Sequence, residues 1–413
     1  MEFHFFDSSD CGFPKPKVPV LPPLTRHSLS RQRSPKIAVR PYSQAAFRPL
    51  QKSVQSRHYA RGRYALFEAY RLAGVGESGA LLAPSYHCST MLDPALRLKA
   101  QIAFYPLKTD LSPDIEAIAA RLQSERLPIK ALLATHYFGF PQELASLAAL
   151  CDQYGIALIE DCSHTLFAPV ETSARSTQRA IGETGRFGIA SPYKFYASED
   201  GGLLWVNDGS GSSVAPQHAA SPLAEVRGVL SSFSRNRANG LELDPSGIGD
   251  EIEALVAQTR THGNDTRKSV DSLSIYYQAA EEGQRSLAVS QWIFRNTNLS
   301  RLASARRENY EYWLGAVANL PACQALLPKL ASDCVPYMFP LLIDSPKRHF
   351  HVLKLLGLPV WRWDEMAVSD CAVAAKYRLN LLHLPCHQEL TPIQMDWMAR
   401  VVRCVLTSAS ILE

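Results

Sequence analysis

The chain has 413 residues, 46% of them hydrophobic and 20% charged, which is enough apolar material for a sizeable core and two domains. Its net charge of +4 is small for that length and offers no electrostatic footprint for nucleic acid. No apolar run is long enough to span a bilayer, "MEFHFFDSSDCGF" lacks a secretory pattern, and nine scattered cysteines without a CxxC pair suit a reducing compartment, so the cytoplasm is the expected location.

Residues 1–45, including "FPKPKVPVLPPLTRHSLSRQRSPK", cannot build a core alone. They read as an extended arm lying on the body or on a partner, or as an unstructured tail. From residue 57 the pattern changes. "RYALFEAYRLAG" has helical spacing and stops at Gly74. "GALLAPSY" and "QIAFYPL" read as strands. "SPDIEAIAARLQSE" reads as a helix with Ser112 as N-cap and Pro113 at its first position. Strand "IKALLATHYFG", helix "PQELASLAALCDQYG", and strands "IALIEDCSH" and "LLWVND" follow. Strands that are apolar on both faces and alternate with helices predict a parallel sheet covered by helices.

"GSGSSVAPQHAASP" reads as a loop, and 279–317 as a long, mostly helical segment in which "SARRENYEYW" is a solvated face. The chain then returns to mixed α/β. Strands are expected at "VPYMFPLLI", "PVWRW" and "LLHLPC", and helices at "KRHFHVLKLLG" and "TPIQMDWMARVVRCVL". The division expected is an arm over 1–45, a large domain over 46–290 and a small C-terminal α/β domain over 291–413.

Two segments carry chemistry. In "GIALIEDCSHTLFA" a strand runs into Glu160 and Asp161, and ligands of open parallel sheets sit beyond strand carboxyl ends. A structural carboxylate capping the next turn is the alternative. "SPYKFYASEDGG" places one lysine, Lys194, on a turn between apolar segments, either as a solvated surface group or as a covalent cofactor anchor. Together they suit pyridoxal phosphate, which needs a lysine amine and a carboxylate beside its pyridine nitrogen. The carboxylate keeps that nitrogen protonated. A third need, a phosphate cradle, is met by "RGRYAL" at a helix start, where Gly62 permits close approach and Arg61 and Arg63 add charge or stay on the surface.

These segments resemble the DegT/DnrJ/StrS family of fold-type-I pyridoxal-phosphate enzymes, the sugar aminotransferases, from about residue 57 to the C-terminus. The resemblance is carried by "RGRYALFEAYRLAGVGESGALLAPSYHCST", "ATHYFGFPQELASLAALCDQYGIALIEDCSHTLFA", "YKFYASEDGGLLWVND" and "HLPCHQELTPIQMDWMARVV". It implies that Lys194 forms the Schiff base and that Asp161 pairs with the pyridine nitrogen. His164 stands where the family has a glutamine bonded to the cofactor's 3-oxygen. Arg63 and Tyr64 stand at the phosphate turn in place of Thr and a small residue. Ser191 lies three residues before the lysine, where the family's phosphate-binding serine lies five before. Cys88 occupies the position of an aromatic ring that stacks on the cofactor, a role that His87 or Tyr86 could take over.

The resemblance further implies a homodimer, with Arg295 or Asn296 of the partner subunit completing the site. It implies amino transfer from an amino acid, glutamate in first place, to a keto sugar, nucleotide-linked. Relatives with histidine in place of the lysine are dehydratases, so Lys194 points to transamination. Two alternatives stand beside this reading: a pyridoxal-phosphate enzyme acting on a non-sugar carbonyl or amino acid, prompted by Arg63, Cys88 and His164, and a non-catalytic regulatory protein on the same fold.

Other motifs have plainer readings. His383, Cys386 and His387 are zinc-type ligands, but they lie at a strand end with no second cluster. Trp361 and Trp363 alternate around Arg362 and suit core packing or substrate stacking. His136 reads as a satisfied strand-end histidine or as a site-lining one.

Overall fold

The computed structural model describes residues 1–29, 55–165, 181–207, 214–234, 243, 247–258, 264–270, 273–331 and 334–408. The chain opens with strand β1 (Glu2–Asp7). After β2 (Gln55–Tyr59), helix α1 (Gly62–Ala73) ends where Gly74 takes a left-handed φ of 83° and returns its N–H to Arg71. Strands and helices then alternate: β3 (Ala80–Pro84), α2 (Ser89–Arg97), β4 (Ile102–Tyr105), α3 (Ile115–Ser124), β5 (Ile129–Thr135), α4 (Ala145–Tyr154), β6 (Ala157–Asp161). β7 (Phe187–Ala190) and β8 (Gly202–Val206) follow.

These strands form one seven-stranded sheet in the order β2-β8-β7-β6-β5-β3-β4. β3 to β7 are mutually parallel, while β8 runs antiparallel to both β7 and β2. A parallel neighbour needs a crossover of about a dozen residues or more. The link from β7 to β8 is a tight return, so β8 comes back antiparallel and Lys194 rides on that return. The side-chain period of two divides the core. Leu81, Ala83, Leu133 and Ile159 pack with α1 on one face; Leu82, Leu132, Ala134 and Leu158 pack with Leu147 and Cys151 of α4 on the other.

Next come α5 (Pro222–Ser234), α6 (Ile248–Gln258) and β9 (Asn264–Ser269). The long helical segment is two helices, α7 (Ala288–Asn296) and α8 (Leu299–Val317), because the Asn298 side chain accepts the Arg301 N–H and starts α8 afresh. β10 (Cys323–Ala325), β11 (Met338–Ile343), α9 (Pro346–Leu355), β12 (Met366–Ala367), α10 (Ala372–Asn380), β13 (Leu381–Pro385) and α11 (Pro392–Thr407) complete the chain. β10, β11 and β13 make an antiparallel sheet, and Trp313, Phe339, Leu353, Trp397 and Val401 share its core with α8, α9 and α11.

Several expectations need correction. The N-terminal segment is more than an extended arm: β1 sits between β12 and β9 in a third sheet, and the chain beyond it is strapped on, with Lys17 N–H bonded to Gly357 and Val18 and Leu24 buried. Residues 30–45 of that segment lie outside the described residues. α3 is capped by Asp114, which accepts the Ala117 N–H at 3.1 Å, while Ser112 turns to Asp110. "PVWRW" is not a strand; only Trp361 bridges to His383. "SARRENYEYW" is not a solvated face, because Arg306, Tyr310 and Trp313 are fully buried along one helical stripe. The described helices include none long and apolar enough to cross a membrane.

Candidate active site

Asp161 ends β6 in register with Ile189 of β7, and the turn Pro192–Lys194 begins just past the end of β7. Acid and lysine therefore leave the same edge of the sheet from adjacent parallel strands. Asp161 is buried, and its Oδ1 accepts the Ser163 N–H at 2.9 Å. Strand alternation sends Glu160 to the opposite face. The half-buried Lys194 has its Nζ 5.4 Å from the centroid of the Tyr337 ring, and no carboxylate among the described residues pairs with it.

His164 shares that ring, stacked on Tyr337 with centroids 4.4 Å apart. Its Nδ1 accepts the Phe138 N–H, so the neutral imidazole carries its proton on Nε2. Burial, and then the Lys194 ammonium, hold its pKa well below the ordinary histidine range. His164 is thus a neutral hydrogen-bond donor, as a glutamine amide would be.

The cradle is built on close approach. A Cβ on Gly62 would lie 2.1 Å from Ser191 Oγ, so glycine lets the start of α1 meet the Ser191 hydroxyl in its present place. Ser191 Oγ is 2.9 Å from Ser163 Oγ. The start of α1 and two hydroxyls therefore meet where an anion would sit. Tyr64 N–H is already spent on Arg61. Arg61 braces the turn, donating to the Glu199 carbonyl at 2.9 Å and lying 5.0 Å over the Tyr193 ring.

The remaining candidates point elsewhere. The Arg63 guanidinium bonds the Tyr276 carbonyl, and the Tyr64 hydroxyl accepts the Gln278 N–H at 3.2 Å inside the core. His87 is not a stacking group for this site. Its ring lies on Phe104, Nδ1 meets the Pro84 carbonyl and Nε2 accepts the Ala367 N–H. Cys88 caps α2 with its thiol 3.2 Å from Thr90 Oγ1. Tyr86 is the ring that faces the site, with its hydroxyl 2.9 Å from His383 Nε2.

Sequence reading placed only part of the wall: it offered Trp363 for core packing or substrate stacking and did not single out Phe138 or Tyr337. Trp363 lies 4.9 Å from Tyr86, 5.7 Å from His164 and 5.4 Å from His383, and Phe138 is 4.8 Å from His383, all between ring centroids. Tyr337, Trp363 and His383 come from the C-terminal segments, so local pattern could not place them. Ser163 was within reach: a hydroxyl beside the strand-end acid is a phosphate-type donor.

Two metal readings fail on chemistry. His383, Cys386 and His387 do not converge: His383 bonds Tyr86, His387 bonds the Pro19 carbonyl, and the Cys386 thiol points to Pro336. His136, Glu160 and Cys162 do gather, but the Glu160 carboxylate already accepts N–H groups from Gly182, Thr184, Gly185 and His136 Nε2. His136 Nδ1 accepts the Gln142 N–H. The Glu160 carboxylate and the His136 ring are thus committed to each other and to backbone N–H groups, which makes this a structural node. A cavity of 690 Å³ lined by Arg57, His58, Gln217, Arg285 and Gln291 flanks edge strand β2 and includes none of the site residues.

The residues fit pyridoxal phosphate. An amine with no acid partner among the described residues, a buried carboxylate on the next strand, a neutral imidazole donor and a glycine-lined anion cradle are the donor set it requires.

Residues 52–217 match the model of the DegT/DnrJ/EryC1/StrS aminotransferase family. GDP-perosamine synthase of Vibrio cholerae is 23% identical over 154 residues, 36% of this chain and 39% of that protein. The dTDP-4-dehydro-2,3,6-trideoxy-D-glucose 4-aminotransferase of Saccharopolyspora spinosa is 24% identical over 48% of this chain and 51% of its own length. The match thus spans about two-fifths to one-half of the length of these curated relatives. Among solved structures, Helicobacter pylori PseC, an aminotransferase involved in the biosynthesis of pseudoaminic acid, superposes with a TM-score of 0.60 at 15% identity, covering 94% of this chain and 98% of that one. That likeness gives the fold: a large, mostly parallel sheet with helices on both faces and a smaller C-terminal α/β unit. Over residues 52–217, the segment that carries the lysine, the acid and the cradle, the chain is thus similar to the DegT/DnrJ/EryC1/StrS aminotransferase family.

Proposed function

We propose that the protein is a pyridoxal-phosphate-dependent aminotransferase that takes an amino group from an amino acid, glutamate in first place, and delivers it to a nucleotide-linked keto sugar. The observation that carries this reading is the half-buried Lys194 amine, without a carboxylate partner among the described residues and flanked by a neutral imidazole and by the anion cradle at Gly62. The sugar-nucleotide names of the relatives support the acceptor class.

When bound, pyridoxal phosphate supplies an electron sink for a carbanion at the substrate carbon. Lys194 would hold the group covalently and move the proton at that carbon. Asp161 would keep the ring nitrogen charged, and His164 Nε2–H would donate to the ring oxygen. The Gly62 and Arg63 N–H groups, with the Ser191 and Ser163 hydroxyls, would hold the phosphate. Tyr337 would form one wall beside the amine.

The protein works as a homodimer in this reading. Support comes from Leu223, Val226 and Leu230, which form an exposed apolar stripe on α5, and from exposed Trp292 on α7. The nine free cysteines support a reducing compartment, the cytoplasm, as its place of work.

The test is direct. Protein given pyridoxal phosphate should gain a visible absorbance band that borohydride abolishes, with the pyridoxyl mass fixed on Lys194 and absent from Lys194→Ala. Glutamate and nucleotide-linked keto sugars should then yield the amino sugar. A protein that fixes no cofactor on Lys194 sinks the proposal. One that binds the cofactor yet aminates no keto sugar moves the acceptor to a non-sugar carbonyl. Sedimentation as a monomer at micromolar concentration would remove the dimer.

A further inference from the structure

The geometry points to Arg306 as a positioning residue for Lys194: one buried guanidinium holds the backbone of the lysine turn and the backbone of the ring that borders the amine. Arg306 lies on α8, over a hundred residues from the lysine, and is 0% exposed. A guanidinium has five N–H donors. All five find oxygen here. Nε donates to Gln388 Oε1 at 2.8 Å, Nη1 to the Pro336 and Tyr337 carbonyls at 3.1 Å each, and Nη2 to the Lys194 carbonyl at 3.1 Å and the Phe195 carbonyl at 3.5 Å. The plane also covers the Phe195 ring at 4.5 Å. Gln388 closes the fork, its Nε2 donating to Phe195 O at 2.9 Å.

All five acceptors are neutral. Burying a cation without a carboxylate is costly, and the cost shows as a pKa lowered to about 10 by burial. A hydrophobic side chain would fill the same space at less expense. What it could not do is tie three segments into one rigid unit: the turn of Lys194, the approach to β11 that carries Tyr337, and the loop after β13 that carries Gln388. The Lys194 amine lies over Tyr337, and Tyr337 also stacks His164. Arg306 therefore sets the spacing of amine, imidazole and ring through their backbones and touches none of the reacting atoms. Lysine cannot replace it, since one ammonium has three donors and no fork.

This inference rests on Lys194 being the cofactor lysine, and its test is kept separate from that reading. Trace acetic anhydride labelling, read by peptide mass spectrometry, measures Lys194 reactivity on the full-length protein without cofactor, with exposed Lys130 as internal control. In Arg306→Met the turn is released, and Lys194 labelling should rise at least threefold relative to Lys130 while far-ultraviolet circular dichroism is unchanged. Millimolar guanidinium should reverse the rise. Gln388→Met, a smaller change, should shift Lys194 in the same direction, and it decides the matter if Arg306→Met does not fold. In parallel, formation of the borohydride-reducible adduct should slow about tenfold in the variants. Unchanged Lys194 labelling in a folded variant overturns the positioning role, whatever the adduct does. Altered labelling with no adduct in the wild type overturns the cofactor reading and leaves the positioning role standing.

Discussion

The Tyr86 hydroxyl and His383 Nε2 share a hydrogen bond of 2.9 Å across 297 residues of sequence, joining the strand-end loop of the large sheet to a strand of the small one. Both side chains are fully buried. Burial first, then the Lys194 ammonium, push the His383 pKa down to about 3, so the imidazole is neutral at working pH. Tyr86→Phe leaves that nitrogen without its partner and should cost about 1–3 kcal/mol of stability, the usual penalty for orphaning a buried polar group. His383→Leu in the same background should recover part of the loss, because both partners are then apolar. Urea unfolding of the two single variants and the double variant measures the coupling. Strictly additive losses would show that the pair does not interact.

The same physics makes stability fall in mild acid. His383 and His387 are held at about 3 and His87 at about 4, and His164 well below its ordinary value, each chiefly by burial. A histidine with a depressed folded pKa binds its proton first in the unfolded chain. Its stabilisation is complete above about pH 6.5 and is lost progressively as pH falls towards the folded value. Asp200 acts in the opposite sense. Burial raises it to about 6, so it gains its proton first in the folded state and stabilises as pH falls. His58 and His349, also lowered by burial, act with the four histidines, while Asp364 and Glu365, raised by burial, act with Asp200; the buried histidines outnumber the buried acids, so stability should fall from pH 6.5 towards pH 5. Urea midpoints between pH 6.5 and 5 measure it. His387→Gln should flatten the slope by about 1.4 kcal/mol per pH unit. A flat profile would mean that these imidazoles are not held neutral.

Much of this was legible in the sequence because it is local. The helix that stops at Gly74, the strand that ends in Asp161 and the turn that carries Lys194 are each set by their own few residues. What stayed hidden depends on long-range packing. Tyr337, Trp363 and His383 are ordinary strand and loop residues until the small sheet folds against the large one. Arg306 was misread because a guanidinium counts as polar. Yet Leu302, Arg306, Tyr310, Trp313 and Val317 keep the spacing of a buried helix face, and neighbouring Arg307 and Glu308 conceal it. β1 was lost among prolines and charges that follow it, although "EFHFF" has strand composition.

Gly62 offers the sharpest test of the cradle. In Gly62→Ala the new Cβ would stand 2.1 Å from Ser191 Oγ and 3.5 Å from the Ala190 carbonyl, so the Ser191 hydroxyl must swing out of the cradle or α1 and the lysine turn must part. Either change removes one or two charge-assisted hydrogen bonds to the phosphate, worth about 1.5–3 kcal/mol each. Pyridoxal phosphate affinity should fall at least tenfold, measured by equilibrium titration. Removing the hydroxyl in Gly62→Ala/Ser191→Ala relieves the crowding, so thermal stability should recover while affinity does not. Recovery of both would show that the cradle is not the phosphate site.

Glu389 makes the last case, and it concerns the N-terminal strap. Its carboxylate, 2% exposed, accepts Thr25 Oγ1 at 2.7 Å, Ser28 Oγ at 3.1 Å and a two-pronged contact from Arg301 at 2.6 and 3.2 Å. Glu389 follows directly on Gln388, so the strap and the Arg306 fork share one loop. Breaking a buried pair costs about 3–5 kcal/mol. Arg301 is 30% exposed, and water takes up part of its charge, so Glu389→Ala should cost about 3 kcal/mol or less. Glu389→Gln keeps the shape and should cost less. The distinguishing readout is local. With Thr25 and Ser28 released, Val18 leaves its pocket, and trypsin should cut after Lys17 at least tenfold faster than in the wild type. Cleavage at an unchanged rate with lowered global stability would mean that the strap is held by Val18 and Leu24 alone and that Glu389 only braces α8.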